Sequence, residues 1–267
     1  MNARDRQEIL ETAAELADAA RAATLAHFRT AGGIAAESKE AARFDPVTVA
    51  DRAAEDAMRA ILARRRPQDA VLGEERGAVA GTSGLTWVLD PIDGTRGYLS
   101  GTPTWGVLIA VTGPDGAPIY GLIDQPFIGE RFEGGLGRAE TRGPGGTRPL
   151  RCRAPRPLDQ AILFSTFPEV GTDEERAAFD RVRDAVRLTR YGMDCYAYAL
   201  VAAGQIDLVI EAGLQAYDVA APIAVIEAAG GIVTDWQGGP CPQGGQVLAA
   251  ANASVHAAAL ALLNGRG

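Results

Sequence analysis

The chain has 267 residues, 47% of them hydrophobic and 22% charged, which is typical of a globular protein with one large domain or two packed ones. Its formal net charge of −8 argues against binding nucleic acid through a broad basic surface. No apolar run approaches the roughly 18 residues that span a bilayer, and Cys152, Cys195 and Cys241 lack the spacing of a zinc site or a disulfide framework.

The first predicted element is a long helix over residues 4–28, because apolar residues recur there at helical spacing. This segment is acidic and amphipathic, whereas a signal peptide has a basic start and a continuous apolar stretch. We therefore expect a cytoplasmic protein with no membrane partner.

The rest of the first half is predicted to hold one more helix and several strands. The helix begins near Thr48 and ends near Arg65, with Pro67 beyond it. Strands are predicted at 86–89, 105–111 and 119–123. The turn Gly113-Pro-Asp-Gly116 joins two of them as a hairpin, which favours an antiparallel or mixed sheet.

Residues 134–157 are rich in Gly, Pro and Arg, and we place a domain boundary there, which divides the chain into 1–150 and 151–267. After it, strands are predicted at 161–165, 206–210, 231–234 and 246–250. Helices are predicted at 173–187, 194–203, 219–229 and 254–263. This alternation predicts a layered α/β architecture with helices on both faces of a sheet.

Carboxylates stand at the edges of apolar segments in five places. These are Asp45-Pro-Val-Thr-Val-Ala-Asp51, Gly73-Glu-Glu75, Asp90-Pro-Ile-Asp-Gly-Thr95, Glu211 and Tyr217-Asp-Val-Ala-Ala221. Clustered carboxylates repel one another unless cations neutralise them, and Mg²⁺ prefers oxygen ligands. The chain has only two histidines, which is few for an imidazole-based zinc site. The pattern favours a hard-metal site.

The stretch Trp87-Val-Leu-Asp-Pro-Ile-Asp-Gly-Thr-Arg96 places two carboxylates at the end of an apolar run. Asp90 and Asp93 can contact different ions, and the Ile92 carbonyl is available as a neutral ligand. Gly94 permits close backbone approach, and a helix that starts here would offer the amides of Gly94 and Thr95 to an anion. Taken alone, the Asp-Gly-Thr part is also an ordinary turn sequence.

Together these motifs, in order over nearly the whole chain, resemble the signature set of the inositol monophosphatase superfamily of metal-dependent phosphatases. The resemblance implies a layered α-β-α-β-α sandwich, a homodimer, and two or three Mg²⁺ ions per site, for which Mn²⁺ is a possible substitute. It implies one metal held by Glu74, Asp90 and the Ile92 carbonyl, and a second held by Asp90, Asp93 and Asp218.

The same resemblance implies the catalytic roles. Thr95 and Asp51 would activate the attacking water, with Glu74 as a further catalytic residue, and Gly94 with Thr95 would bind the phosphate. The motifs offer no obvious nucleophile, so we expect direct in-line attack by water without a covalent phosphoenzyme.

Substrate choice is expected from Asp194 and Glu211. Glu211 precedes Asp218 by seven residues, where inositol-type members use a carboxylate. The segments 191–198, 121–131 and 207–213 resemble the histidinol-phosphatase branch, which implies hydrolysis of L-histidinol phosphate in histidine biosynthesis. Asp194 and Glu211 would then pair with the cationic ammonium and imidazole end. Met193, the Gln215-Ala216 pair and Gly97-Tyr98 depart from the branch pattern.

Several alternatives stay open. Asp194 is also a favoured helix N-cap residue, and Tyr196 and Tyr198 fit core packing. Whether Lys39 or Arg43 reaches the site is undecided. The same motifs fit an inositol-1-monophosphatase or a related sugar or nucleotide phosphatase, and a different class, a non-catalytic regulatory protein of the same fold, is the remaining alternative.

Overall fold

A computed structural model describes residues 1–31, 34–38 and 46–266. The helices are α1 (Ala3–Leu25), α2 (Val49–Arg65), α3 (Thr95–Ser100), α4 (Asp173–Arg183), α5 (Asp194–Ala202), α6 (Ala216–Ala228) and α7 (Ala253–Leu263), with a 3₁₀ turn at Leu158–Gln160. None of the described helices is both long and apolar enough to cross a membrane.

The strands are β1 (Ala36–Ser38), β2 (Pro46–Thr48), β3 (Ala70–Gly73), β4 (Gly77–Val79), β5 (Thr86–Asp93), β6 (Gly106–Thr112), β7 (Pro118–Gln125), β8 (Glu130–Gly135), β9 (Arg138–Gly143), β10 (Gly146–Pro149), β11 (Ile162–Ser165), β12 (Leu188–Tyr191), β13 (Leu208–Gln215), β14 (Ile232–Thr234) and β15 (Gly244–Ala250). β1 and β2 form a separate antiparallel pair. The other described strands form two sheets.

The first sheet has eight strands in the order β10-β9-β8-β7-β6-β5-β3-β4. β3 runs parallel to β5, and the other pairs are antiparallel, which confirms the predicted mixed sheet. The second sheet has the order β12-β11-β13-β15-β14, and β11 is parallel to both of its neighbours.

Three helical layers alternate with the two sheets. α1 and α2 pack on one face of the first sheet, where they meet Trp87 and Leu89 of β5. Val88, between these two, faces the opposite layer of α5 and α6, as strand alternation requires. The second sheet covers the other side of that layer, and α4 and α7 pack on its outer face. The predicted α-β-α-β-α sandwich is confirmed.

The segment between the predicted halves differs from our expectation. Strands β8, β9 and β10 occupy most of 130–149 and extend the first sheet, because short Gly turns there close hairpins. The middle helical layer packs on both sheets, so a core joins residues before and after position 150. The division of the chain into domains 1–150 and 151–267 stays a prediction.

One predicted helix boundary was wrong, and two short strands were missed. The helix predicted over 173–187 ends at Arg183, and Leu188–Tyr191 then forms the parallel edge strand β12. Strands β3 and β4 were not predicted, since each has at most four residues.

Two acidic residues in the segments that resemble the histidinol-phosphatase branch make buried ion pairs. Asp124 in β7 is fully buried and accepts hydrogen bonds from Arg21 at 3.0 and 2.7 Å and from Arg131 at 2.8 Å. Asp207 is likewise buried and accepts from Arg153 and from the Ile162 N–H, each at 2.9 Å. The ion pairs of Asp124 and Asp207 therefore hold different parts of the fold against one another.

We expect Asp124→Asn to lower the free energy of unfolding by about 3 kcal/mol, because it leaves two guanidinium groups beside a neutral buried partner. Urea denaturation measures this change. Asp18→Asn is the matched control: Asp18 also pairs with Arg131, at 2.7 Å, but its side chain is 71% exposed. An equal loss in both variants would contradict the prediction.

Candidate active site

Asp90, Asp93 and Asp218 come together where β5 ends and α6 begins. One carboxylate oxygen from each lies within 4.8 Å of the others. Asp90 is buried, whereas Asp93 and Asp218 are half-buried and line a cleft. The structure thus brings together three carboxylates that the sequence assigned to a metal site.

Local backbone geometry explains this placement. The ladder between β5 and β6 becomes irregular between Asp90 and Asp93, around Pro91, which has no N–H to donate. The Asp90 carboxylate accepts the Ile92 N–H at 3.0 Å. Asp218 is the third residue of α6 and accepts the Gln215 N–H at 2.6 Å as part of a capping box.

The electrostatics of the cluster match a cation site. Burial, together with the charges of Glu74, Asp93 and Asp218, raises the pKa of Asp90 well above its usual range. Burial and the charges of Asp194 and Asp218 raise the pKa of Asp93, although the Cys195 N–H donates to it at 2.5 Å. Divalent cations bound by these oxygens would relieve that repulsion.

Glu74 and Ile92 complete the predicted ligand set. Glu74 follows β3 directly, and a hydrogen bond between its carboxyl group and that of Asp90 contributes to the raised pKa of Asp90. The Ile92 side chain is buried, and its carbonyl accepts the Thr95 hydroxyl at 3.1 Å. The donor set of carboxylates and a carbonyl therefore fits Mg²⁺, and the individual ligand roles stay predictions.

Thr95 and Asp51 also meet. The Thr95 hydroxyl contacts Asp51 Oδ1 at 3.5 Å, while Asp51 Oδ2 accepts the Thr48 N–H at 2.9 Å and the Thr48 hydroxyl at 2.5 Å. These bonds form the capping box that starts α2. Burial is the main reason that the pKa of Asp51 is raised, and the charge of Glu74 raises it further.

Asp194 lies beside the predicted phosphate-binding loop. A Cβ at Gly94, which has φ +88°, would stand 2.6 Å from Asp194 Cγ. The Asp194 carboxylate accepts the Thr104 hydroxyl at 3.3 Å, and burial raises its pKa. The capping alternative is wrong, because Met193 is the N-cap of α5 and no side chain caps the helix.

Glu211 lines the same cleft from β13. Its Oε1 accepts the Thr166 N–H at 2.8 Å and the Thr166 hydroxyl at 2.5 Å, and its Oε2 accepts the Tyr198 hydroxyl at 2.7 Å. Tyr198 therefore packs in the core and also holds Glu211 through a hydrogen bond. Tyr196 packs on Phe132 and donates to Glu130 at 2.7 Å, as its packing alternative describes.

The cleft has a volume of about 630 Å³ and a strongly acidic lining. Glu169 and Glu175 belong to it, and sequence reasoning missed both because they stand in no motif. Arg96, whose guanidinium lies 4.9 Å from the Phe167 ring centre, is the one basic side chain among the described lining residues. Lys39, Arg43 and Asp45 lie outside the described residues.

Comparison with known proteins agrees with this arrangement. The profile of the inositol monophosphatase family matches residues 5–265. The chain belongs to the inositol monophosphatase family. It is therefore a phosphatase by family, and the predicted superfamily is confirmed.

Relatives within the family carry different names. A histidinol-phosphatase of Streptomyces coelicolor is 36% identical over 263 residues, which cover 96% of this chain and 97% of that protein. The bifunctional phosphatase IMPL2 of Arabidopsis thaliana is 47% identical over 195 residues, or 72% of this chain, but the match spans only 55% of that longer protein. An inositol monophosphatase structure from Zymomonas mobilis superposes with a TM-score of 0.84 at 38% identity, covering 99% of this chain and 100% of that one.

We expect Asp93→Asn to stabilise the metal-free protein at pH 7.5 and to remove most of its stabilisation by Mg²⁺. A carboxyl whose pKa is higher in the folded state destabilises the fold as pH rises from about 4 through that raised pKa, so a neutral side chain removes the penalty. Wild-type protein should gain about 2.7 kcal/mol when Mg²⁺ is a hundredfold above its Kd.

Thermal unfolding in EDTA and in Mg²⁺, at pH 5.5 and 7.5, measures both effects. Asp159→Asn, at an exposed position on the 3₁₀ turn, is the control and should behave as wild type. A full Mg²⁺ response in Asp93→Asn would contradict the metal assignment.

Proposed function

We propose that this member of the inositol monophosphatase family is a Mg²⁺-dependent histidinol-phosphatase, which releases phosphate from L-histidinol phosphate in histidine biosynthesis. The observation that carries the proposal is the acidic wall of the cleft, which runs from the carboxylate cluster through Asp194 to Glu211. The homodimer and the cytoplasmic location stay predictions.

Glu74, Asp90, Asp93 and Asp218, with the Ile92 carbonyl, would hold two or three Mg²⁺ ions, and Mn²⁺ would be a substitute. Bound Mg²⁺ neutralises charge on the phosphate oxygens and makes water a better nucleophile at neutral pH. The fit of this site to Mg²⁺ rests on its oxygen donors and on the mutual repulsion of the carboxylates.

The residues of the chain position the attacking water and the phosphate. The Thr95 hydroxyl lies between the Ile92 carbonyl and Asp51, so it is placed to orient a water and pass its proton toward Asp51. The raised pKa of Asp51 suits a proton acceptor. Gly94 is the N-cap of α3 and has a left-handed backbone, and the amides of Gly94 and Thr95 would bind the phosphate.

The acidic wall beyond the carboxylate cluster would receive the organic part of the substrate. Histidinol phosphate carries an ammonium and an imidazole, both of which pair with carboxylates, and the wall offers Asp194 and Glu211 beside Glu169 and Glu175. Charge-assisted hydrogen bonds of this kind contribute about 1.5–3 kcal/mol each. The histidinol-phosphatase of Streptomyces coelicolor, matched over almost its full length, supports the same substrate.

An inositol-1-monophosphatase is the second candidate, and the likeness to the Zymomonas mobilis protein favours it. Related sugar or nucleotide phosphatases would use the same metal chemistry. A non-catalytic regulatory protein would have no chemical reason to keep mutually repelling carboxylates together at the cleft.

We expect kcat/KM for histidinol phosphate to exceed that for inositol 1-phosphate by about tenfold or more, since one charge-assisted contact accounts for that ratio. Phosphate release with Mg²⁺ is measured for both esters, for fructose 1,6-bisphosphate and for a 3′-phosphorylated nucleotide. Efficient hydrolysis of inositol 1-phosphate with none of histidinol phosphate would establish the second candidate.

We expect Asp194→Asn to raise KM for histidinol phosphate by about tenfold or more, because the variant loses the charge that faces the substrate cation. Asparagine suits the test because Asp194 has φ +47°, a left-handed conformation that asparagine tolerates and alanine does not. Steady-state kinetics should show less than about threefold change with inositol 1-phosphate, which has no cation.

Thr104→Val is the matched control, since it removes the hydroxyl that Asp194 accepts but keeps the charge. Thr104→Val should raise KM for histidinol phosphate less than Asp194→Asn does. Equal KM changes for both esters in Asp194→Asn would show that Asp194 shapes the phosphate loop and does not select the cation.

A further inference from the structure

A second buried carboxylate on α2, Glu55, lies under the turn that carries Glu74. Glu55 is fully buried, and its two oxygens accept the Glu75 N–H at 2.7 Å and the Arg76 N–H at 3.0 Å. The Arg59 guanidinium donates to Glu55 at 2.7 Å. One charged side chain thus satisfies two consecutive backbone amides and is itself neutralised.

The chain leaves space for this carboxylate. Gly73 ends β3 and pairs with Gly77 of β4, so residues 74–76 form the turn of a tight hairpin. A Cβ at Gly73 would stand 2.2 Å from Glu55 Oε1. Any larger residue at position 73 would displace the carboxylate from the turn, because real Cβ atoms do not approach that closely.

The turn is clamped from more than one side. Arg59, which neutralises Glu55, also donates to the Gly77 carbonyl at the far end of the turn. Glu74 stands at the near end, where its N–H donates to the Leu89 carbonyl of β5 at 3.2 Å. The direction of the Glu74 side chain toward Asp90 therefore depends on the path of this short turn.

We propose that Glu55 is a positioning residue for the metal site: it fixes turn 74–76 so that the Glu74 carboxylate stays directed at the ion that Asp90 shares. The inference rests on the metal site proposed above. Asp51 lies one helical turn earlier on α2 and contacts Thr95, so a single helix orders both the metal turn and the water-orienting threonine.

The test is Glu55→Gln, which keeps the size of the side chain but turns an amide group toward a backbone N–H. Binding of Mn²⁺ is measured by electron paramagnetic resonance and of Mg²⁺ by calorimetry, both without substrate. We expect each Kd to rise by about 10- to 100-fold, the usual effect of losing a group that orients a metal ligand. Activity should recover substantially at saturating Mg²⁺.

Asp56→Asn is the matched control. Asp56 is the next residue on α2 and holds the same turn through Arg76, at 2.9 and 2.7 Å, but both side chains are about half exposed. Its metal affinity should stay within about twofold of wild type, as for most exposed ion pairs.

A folded Glu55→Gln protein that binds both metals within twofold of wild type would overturn the proposal, even if its melting temperature fell. If the variant does not fold, amide hydrogen exchange in the wild-type protein decides: Glu75 and Arg76 should be protected, and free exchange at both would overturn the clamp. Neither measurement uses a substrate, so failure of the histidinol-phosphatase assignment would leave both results interpretable.

Discussion

Repulsion among carboxylates at the end of β5 is the constraint on which the site depends. Asp90, Asp93 and Asp218 share a few ångströms of half-buried space, where burial and neighbouring carboxylates raise the pKa of Asp90 and of Asp93. The free energy that holds them there comes from elsewhere: β5 is fixed by apolar packing on both faces, with Trp87 and Leu89 on one side and Val88 on the other. The fold therefore tolerates a charge cluster whose repulsion a bound cation would relieve.

Backbone N–H groups orient carboxylates of this cluster and also Asp51, which contacts Thr95. Asp51 accepts from Thr48, Asp218 from Gln215, and Asp93 from Cys195. Two of these carboxylates are the third residues of capping boxes, so the start of a helix and the placement of a site residue are the same local event. Because α2, β5, α5 and α6 come from both halves of the chain, the site forms only where the layers meet.

Periodicity predicted the elements with long apolar repeats, and the sandwich followed from their alternation. Short elements carried no such signal. The composition of the residues between α4 and β12 does not mark where the helix ends and the strand begins. β10 is exposed along its whole length and so has no alternation of buried and exposed residues. Clustered motifs located the carboxylates that the structure brings together, but they gave no sign that Asp124 makes a buried ion pair with Arg21. Glu55 was missed because, four residues after Asp51 on an amphipathic helix, it is indistinguishable in sequence from a solvated glutamate.

The distribution of charge around the cleft separates the reaction from the choice of substrate. Under the proposed function, two Mg²⁺ ions would balance Glu74, Asp90, Asp93 and Asp218, and the negative charge of Asp194, Glu211, Glu169 and Glu175 would face the organic part of the ester. A neutral polyol would offer these carboxylates hydroxyl donors but no positive charge, whereas a cationic alcohol would also neutralise them. On this proposal the difference in binding free energy between the two esters would reside in the acidic wall, and substitutions there would change the preferred ester while the carboxylates assigned to the metals stay the same.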